Sequence, residues 1–262
     1  MKLLSLNIWG GKIHDPLINF IKKYSQDVDI FCFQEVFKSP LRGYISREIY
    51  ADIYSDLEDI LKGYNVFFKP VQDGFDIKGP VDFEITQGQA TFVKDTIKVD
   101  SHEQVFLCGA RNNAVPDNKN SIPAAMLCTR ISLGRKKYTI CNVHGFSYPG
   151  EKLDTEERIK QSQKILNFLK REKGSEIILC GDFNLMPETK SIKMIEEQLE
   201  NLIKKFNIEN TRSNLSYYAN TPDAQKFADY TFVGPKIKVD DFKVLPNEVS
   251  DHLAMYLDFD TN

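Results

Sequence analysis

The segment that decides the fold is EIILCGDFNLMP, residues 176–187. Glu176–Cys180 is short and almost entirely apolar, which predicts a buried β-strand. Asp182 and Asn184 follow directly where this strand ends. They alternate along an extended chain, so both side chains can face the same side, and the alternative for this pair is an Asx turn before Pro187. The segment therefore predicts a buried strand that carries an acid and an amide to one edge of a sheet.

Other predicted strands also adjoin acidic, amide or imidazole side chains. They are Lys2–Leu6 before Asn7, Val28–Phe33 before Gln34 and Glu35, Tyr138–Val143 before His144, and the strand from Leu253 to Phe259, which follows Asp251 and His252. Each one alone is compatible with ordinary capping where a strand reaches water. Their recurrence favours a shared site held at rigid strand ends. Carboxylate and amide oxygens are ligands that suit Mg²⁺ or Mn²⁺.

The helices are fewer than the strands. We predict four, at His14–Tyr24, Asp52–Leu61, Asp154–Lys173 and Pro187–Phe206. In the third helix, Asp154 and Glu157 have the spacing of a capping pair, and the apolar residues share one face. The first has Pro16 in its opening turn, where proline is tolerated.

Two packed sheets flanked by helices, within one α/β domain spanning residues 1–262, fit this pattern best. Leu133-Gly134-Arg135 predicts an antiparallel hairpin, and residues 109–123 predict a long loop. A single parallel Rossmann-type sheet fits poorly, because the hairpin is antiparallel and no glycine-rich phosphate loop follows the first strand.

Composition limits the functional classes. The 262 residues are 42% hydrophobic and 27% charged, which is typical of a soluble globular protein. The net charge of −3 lacks the basic excess of general nucleic-acid binders, so nucleic acid would need a local patch or a metal ion. The five cysteines form no CxxC pair, and four of them, Cys32, Cys128, Cys141 and Cys180, lie inside apolar runs, which predicts buried free thiols in a reducing compartment. No apolar run suits a signal peptide or a bilayer span, which predicts a cytoplasmic protein without membrane insertion.

Six short motifs occur in a fixed order along the chain. They are LNIW at 6–9, QEV at 34–36, NVH at 142–144, GDFNLMP at 181–187, DY at 229–230 and SDH at 250–252. This series resembles the motifs of the endonuclease/exonuclease/phosphatase (DNase I-like) superfamily, which includes pancreatic-type DNases, deadenylases, tyrosyl-DNA phosphodiesterases, neutral sphingomyelinases and inositol-polyphosphate phosphatases. The resemblance covers nearly the whole chain. It implies a four-layer α/β/β/α sandwich and a phosphate-ester hydrolase that uses Mg²⁺, with Mn²⁺ as the alternative.

The resemblance also implies roles for the acids and amides. Glu35 would be a direct metal ligand, and Asn7 would support the metal or its waters. Asp251 would be a further ligand or would shape the metal's shell. Asp182 would orient the attacking water and help to deprotonate it, while Asn184 would hold the phosphate or that water.

Two of the four histidines fall in these motifs. His144 would donate a hydrogen bond to the non-bridging oxygens or a proton to the leaving group. His252 would contact the phosphate as a base or electrostatic partner, with Asp229 as its orienting carboxylate. Which histidine is the acid and which is the base stays open.

Three further residues are candidates for contact with substrate. Trp9 and Tyr148 flank motif residues and could stack on a base or sugar, although core packing explains each of them equally well. Arg111 lies in the predicted long loop.

Arg158 and Gln161 fall on the helix after His144, where a solvated helix face is the simpler interpretation.

Three functions remain open. Nucleic acid is the leading substrate class for phosphodiester, or phosphomonoester, hydrolysis by a monomer. A phosphoesterase for lipid head groups or small metabolites is the alternative. An inert binding protein on the same fold is disfavoured, because Glu35, Asp182 and His252 are all present rather than replaced by small or apolar residues.

Overall fold

The computed structural model describes residues 1–46, 49–76, 78–216 and 225–261. Its strands are β1 Lys2–Asn7, β2 Ile30–Lys38, β3 Tyr44–Ser46, β4 Ile49–Tyr50, β5 Tyr64–Asp73, β6 Thr86–Lys94, β7 Lys98–Cys108, β8 Ala124–Leu133, β9 Lys136–His144, β10 Glu176–Asp182, β11 Glu200–Asn201, β12 Asp229–Val233, β13 Lys238–Val244 and β14 Met255–Asp260. Its α-helices are α1 His14–Tyr24, α2 Ile53–Ile60, α3 Glu156–Leu169, α4 Lys190–Glu196 and α5 Leu202–Lys205. Short 3-10 turns lie at Trp9–Gly11 and Lys119–Ser121.

Two six-stranded mixed sheets form the centre of the fold. The first sheet has the order β13-β14-β1-β2-β6-β5, and the second has the order β11-β12-β10-β9-β8-β7. Within them, β1 pairs with β2 and β9 pairs with β10 in parallel, while the neighbouring pairs are antiparallel. The predicted hairpin is confirmed as β8–β9.

Side-chain alternation along the strands explains the layers. In β1, Leu3 faces the core between the two sheets, whereas Leu4 and Leu6 face a second core that includes α1 and α2. The core of the second sheet continues to the inner faces of α3 and α4. The result is the predicted α/β/β/α arrangement, in which central strands such as β1 and β10 are buried on both faces.

A buried amide joins the two sheets. Asn142 of β9 donates from Nδ2 to the carbonyl oxygens of Phe33 and Ala90, each at 3.1 Å. Its Oδ1 accepts from Gln34 Nε2 at 2.6 Å, and its carbonyl accepts from Gln89 Nε2 at 2.9 Å. Satisfied buried hydrogen bonds of this kind fix the relative position of packed layers. They hold the end of β2 against the end of β9.

The four cysteines predicted to be buried are buried and free. They are Cys32, Cys128, Cys141 and Cys180. Among the helices of the described ranges, none combines the length and the apolar character that crossing a lipid bilayer would require.

The helix predictions are right in position for α1 and α2 and need correction in α3. α1 has the predicted bounds. The capping pair Asp154 and Glu157 is wrong, because Thr155 caps α3 and its side chain accepts from the backbone N–H of Arg158 at 3.2 Å. Asp154 accepts instead from the first backbone N–H groups of α4.

The single helix predicted at residues 187–206 is also wrong. The chain forms α4, then the two-residue strand β11, then α5. Asn201 pairs with Phe232 at the edge of the second sheet, and its side chain accepts from Ile203 N at 3.0 Å. Pairing with the sheet edge and a new side-chain cap therefore interrupt the helix.

Gly181 is required where β10 passes β9. Its φ is +130°, and a Cβ added there would overlap the carbonyl oxygen of Val143. We expect Gly181→Ala to lower the free energy of unfolding by about 2 kcal/mol or more, because both strands must shift. Urea denaturation measures this. Gly63, which has open space around its Cβ position, is the control. Equal stability of Gly181→Ala and Gly63→Ala would show that no close approach exists.

Candidate active site

The predicted strand ends meet at one edge of the sandwich. In the first sheet, Asn7 at the end of β1 is in register with Gln34 of β2. In the second sheet, Asp182 at the end of β10 pairs with His144 of β9 and with Asp229 of β12. Because the carboxyl ends of parallel strands share one edge, these side chains converge.

They converge on a cleft of about 230 Å³. Its lining includes charged, amide, imidazole and aromatic side chains, namely Trp9, Glu35, His144, Tyr148, Lys152, Asp182, Asn184, Arg212, Asp251 and His252. The cleft thus combines residues from both sheets and from loops far apart in the sequence.

A β-bulge directs Glu35 into the cleft. Phe33 pairs with Ala90 and Val36 pairs with Gly88, so Gln34 and Glu35 together oppose one residue of β6. Glu35 has a φ of +55°. This conformation is unusual for a residue with a side chain and is typical of functional sites.

Asn7 connects the two sheets within the site. Its Nδ2 donates to Glu35 Oε1 at 3.0 Å and to Asp182 Oδ2 at 3.2 Å. Its Oδ1 accepts from Trp9 N at 3.0 Å, which fixes the orientation of the amide. In this conformation Asn7 positions the two carboxylates, and its part at a metal ion stays a prediction.

Asp182 and Asn184 form a hydrogen-bonded turn after β10. Asp182 Oδ1 accepts from Asn184 N at 2.8 Å, and Asn184 Nδ2 donates to the carbonyl of Gly145 at 3.1 Å. Burial opposes ionisation of Asp182, but the positive charges around it, those of Lys152 and Arg212 among them, outweigh it and lower its pKa below the usual value. Asp182 is therefore an ionised carboxylate at neutral pH.

His252 is held between a carboxylate and a guanidinium. Its Nδ1 lies 2.8 Å from Asp229 Oδ2, and its Nε2 is hydrogen-bonded to Arg212 Nη1. Arginine can only donate, so Nε2 accepts and Nδ1–H donates to Asp229. Burial and the charge of Arg212 lower the pKa of His252 to about 4. The imidazole is therefore neutral at pH 7, with Nε2 3.7 Å from Asp182 Oδ2.

His144 lies beside Glu35 in the same cleft. Its Nε2 lies 3.6 Å from Glu35 Oε1. Each predicted catalytic histidine thus has its Nε2 near one carboxylate, His144 at Glu35 and His252 at Asp182.

The donor set fits a hard divalent cation. Glu35, Asp182 and Asp251 bring three carboxylates into one cleft. Burial raises the pKa of Asp251, although the positive charge of Arg212, whose Nη2 lies 3.6 Å from Asp251 Oδ2, opposes this. Mg²⁺ needs only one or two protein carboxylates beside waters and substrate oxygens. Glu35, with Asp251, is the set that would hold it.

A tighter group lies beside this set. Within the described part of the chain, one group of acid and imidazole atoms lies within 4.8 Å of one another, and it comprises Asp182, Asp229 and His252. His252 Nδ1 and Asp229 already bond to each other in this group. We therefore interpret it as a hydrogen-bonded His252–Asp229 pair beside Asp182 rather than as a metal centre.

Most of the predicted substrate contacts reach the cleft. Trp9 and Tyr148 line it, and Trp9 is also largely buried, with Lys12 Nζ 4.1 Å above its ring. Arg111 lies outside the lining and forms an exposed ion pair with Asp73 at 2.7 Å.

Sequence reasoning missed Lys152 and Arg212, which belong to no motif. Both side chains line the cleft and are 9% exposed. Burial lowers the pKa of Lys152 to about 8, although the charge of Asp182 opposes this.

The solvated face proposed for Arg158 and Gln161 is wrong, because both are fully buried. On α3, Arg158 and Gln161 lie four residues before the buried Ser162 and Ile165, respectively, so they share the inner face of the helix. This helical spacing is the signal that could have identified them as buried.

Comparisons with known proteins agree with this geometry. The model of the Endonuclease/Exonuclease/phosphatase family matches residues 4–252. No curated protein sequence matches significantly. The catalytic domain of human Nocturnin with bound sulfate has a similar structure, with a TM-score of 0.69 and 18% identity over 99% of this chain and 93% of that one.

Two further solved structures share the fold. A mannosyl-6-phosphatase of Bacteroides thetaiotaomicron has a TM-score of 0.67 and 17% identity over 99% of each chain. A humanised D. rerio TDP2 has a TM-score of 0.68 and 16% identity over 100% of this chain and 99% of that one. At these identities the likeness concerns the fold, whereas the family match spans nearly the whole sequence. The chain therefore belongs to the endonuclease/exonuclease/phosphatase family, whose members are generally hydrolases of phosphate esters.

Proposed function

We propose that this chain hydrolyses phosphate esters by attack of a water molecule, with a divalent cation, Mg²⁺ or Mn²⁺, at Glu35 and Asp251. The observation that carries the proposal is the position of Asp182. Its Oδ2 lies 3.2 Å from Asn7 Nδ2 and 3.7 Å from His252 Nε2, and its Oδ1 is fixed by Asn184. An ionised carboxylate held so firmly is suited to orient one water molecule.

The surrounding residues have complementary parts in this reaction. Asp182 accepts the proton of the water, and Asn184 contacts the phosphate or that water. Asp229 keeps His252 in the Nδ1–H tautomer through its hydrogen bond, so that Nε2 is available as a base beside Asp182 and can contact a phosphate oxygen only after taking up a proton. When bound, the cation would neutralise charge on the phosphoryl oxygens.

His144 is our candidate for the acid. It lines the cleft, with its Nε2 3.6 Å from Glu35 Oε1. A protonated His144 can donate to the oxygen of the leaving group. Since His252 is neutral and accepts at Nε2, the two histidines are suited to different steps.

The substrate class has two candidates. Nucleic acid remains the leading class from the sequence, and the family includes enzymes that act on it. The confined cleft of about 230 Å³ favours a second candidate, a small phosphate ester. A protein described as a mannosyl-6-phosphatase has a similar fold.

A substrate panel with Mg²⁺, Mn²⁺ or EDTA tests the proposal. It comprises p-nitrophenyl phosphate, bis-p-nitrophenyl phosphate, hexose 6-phosphates, inositol phosphates, sphingomyelin, RNA, and single- and double-stranded DNA. We expect turnover of at least one ester with the metal ion and loss of turnover with EDTA. Binding without turnover, by folded and metal-loaded protein on every ester, would instead support an inert binding protein.

A further inference from the structure

The loop after His144 is held rigidly by one side chain. Arg158 is fully buried, and its guanidinium donates to four backbone carbonyls of this loop at 2.6 to 3.3 Å. These are the carbonyls of Phe146, Ser147, Pro149 and Leu153. Buried hydrogen bonds to a charged donor are strong and directional. Arg158 therefore acts as a positioning residue for residues 146–153.

Lys152 is the part of this loop that reaches the cleft. Its φ is +60°, a conformation unfavourable for a lysine. Its carbonyl accepts from Met186 N at 2.9 Å, and the next carbonyl along the chain bonds to Arg158. These hydrogen bonds thus maintain the unfavourable backbone conformation of Lys152, which directs its side chain into the cleft. Strained backbone of this kind is characteristic of ligand sites.

The ammonium group of Lys152 is buried without an acidic partner. It donates to Asn184 Oδ1, and within the described residues no carboxylate lies within 4.0 Å of Nζ. An ammonium has three N–H donors, so two can bond to a ligand. A buried cation is costly unless an anion accompanies it. Arg212, equally buried, adds a second positive charge to the same cleft; its Nη1 bonds to His252 and its Nη2 lies 3.6 Å from Asp251 Oδ2, which leaves further N–H donors of the guanidinium for a ligand.

We propose that Lys152 and Arg212 form a subsite for the phosphoryl oxygens of the substrate and select a terminal phosphate over an internal phosphodiester. A phosphomonoester presents three unesterified oxygens and a charge of about −1.5 to −2 at neutral pH. A diester presents two such oxygens and a single charge. Two buried cations beside a divalent metal ion match the monoester better. This inference rests on the proposed function, since the ester would be cleaved in the same cleft.

The test uses Lys152→Met, which removes the charge and keeps a long side chain. We expect KM for p-nitrophenyl phosphate to rise about tenfold or more, as the loss of a hydrogen bond between charged groups does. We expect KM for bis-p-nitrophenyl phosphate to change less than about threefold, because the diester depends less on this contact. Calorimetric titration of inorganic phosphate in the presence of Mg²⁺ should show a matching loss of affinity.

The controls separate the possible outcomes. Lys164→Met on the exposed face of α3 should leave both KM values unchanged, and thermal unfolding should show that each variant is folded. Equal effects of Lys152→Met on the two esters would overturn the proposal, since they would mean that Lys152 acts only through Asn184. Unchanged kinetics would overturn it too. If the wild-type protein binds phosphate through Lys152 but hydrolyses nothing, the subsite stands and the proposed function fails.

Discussion

Asp182→Asn is expected to lower kcat by about a hundredfold or more, because the variant can no longer accept the proton of the attacking water. Asparagine has nearly the same shape, and its side-chain oxygen can still accept from Asn184 N, as Asp182 Oδ1 does at 2.8 Å. The turn after β10 should therefore persist. Steady-state kinetics on the best ester of the panel, at saturating metal ion, measure the effect.

The matched control is Asp95→Asn, an exposed acid between β6 and β7. It removes the same charge outside the cleft and should retain wild-type kcat. Circular dichroism and thermal unfolding verify that both variants are folded. A kcat for Asp182→Asn within a few-fold of wild type would remove Asp182 from the reaction.

Glu35→Gln is expected to raise the metal concentration required for half-maximal activity by about tenfold or more, since changes even beyond the direct ligands of metal sites typically cost this much. A neutral amide oxygen is a weaker ligand for a hard cation than a carboxylate. The hydrogen bond from Asn7 Nδ2, 3.0 Å from Glu35 Oε1, can still form to the glutamine oxygen. Titrating activity with Mg²⁺ and Mn²⁺ measures the change.

Glu197→Gln provides the comparison for this variant. Glu197 is exposed directly after α4, outside the cleft lining. Its substitution should leave the metal dependence unchanged. If Glu35→Gln required no more metal ion than Glu197→Gln, Glu35 would not be a ligand, and the bulge that directs it into the cleft would need another explanation.

The sequence was sufficient to predict the site residues that lie at the ends of strands. Residues 176–184 predicted a buried strand ending in Asp182 and Asn184, and β10 confirms the strand. The same logic located Asn7 and His144, because a strand end fixes the direction of its last side chains. Glu35 was named from the same pattern, but it lies within β2, Ile30–Lys38, and a bulge rather than a strand end directs it. Two packed sheets with outer helices followed from the number and apolar character of these strands.

The sequence patterns could not identify the site residues that lie in loops. Lys152 enters the cleft through a left-handed backbone conformation, and Arg212 does so through contacts with His252, 40 residues away. Neither local propensity nor periodicity carries such information. The bulge at Glu35 likewise depends on pairing with β6, which no single segment reveals.

Arg158 illustrates a different failure. Charged residues are almost never fully buried unless they are paired, so a solvated position was the natural expectation for it. Its partners are four backbone carbonyls from a loop whose path the sequence does not show. The helix predicted at residues 187–206 failed similarly, because its interruption depends on pairing between β11 and β12.

The most direct test is a crystal structure of the protein grown with Mn²⁺ and inorganic phosphate, with the ion located by its anomalous scattering. We expect one strong peak in the cleft, on the carboxylate of Glu35, with the phosphate between it and His252. A peak elsewhere on the surface, with Glu35 and His252 facing different cavities, would show that these residues do not form one metal-dependent site.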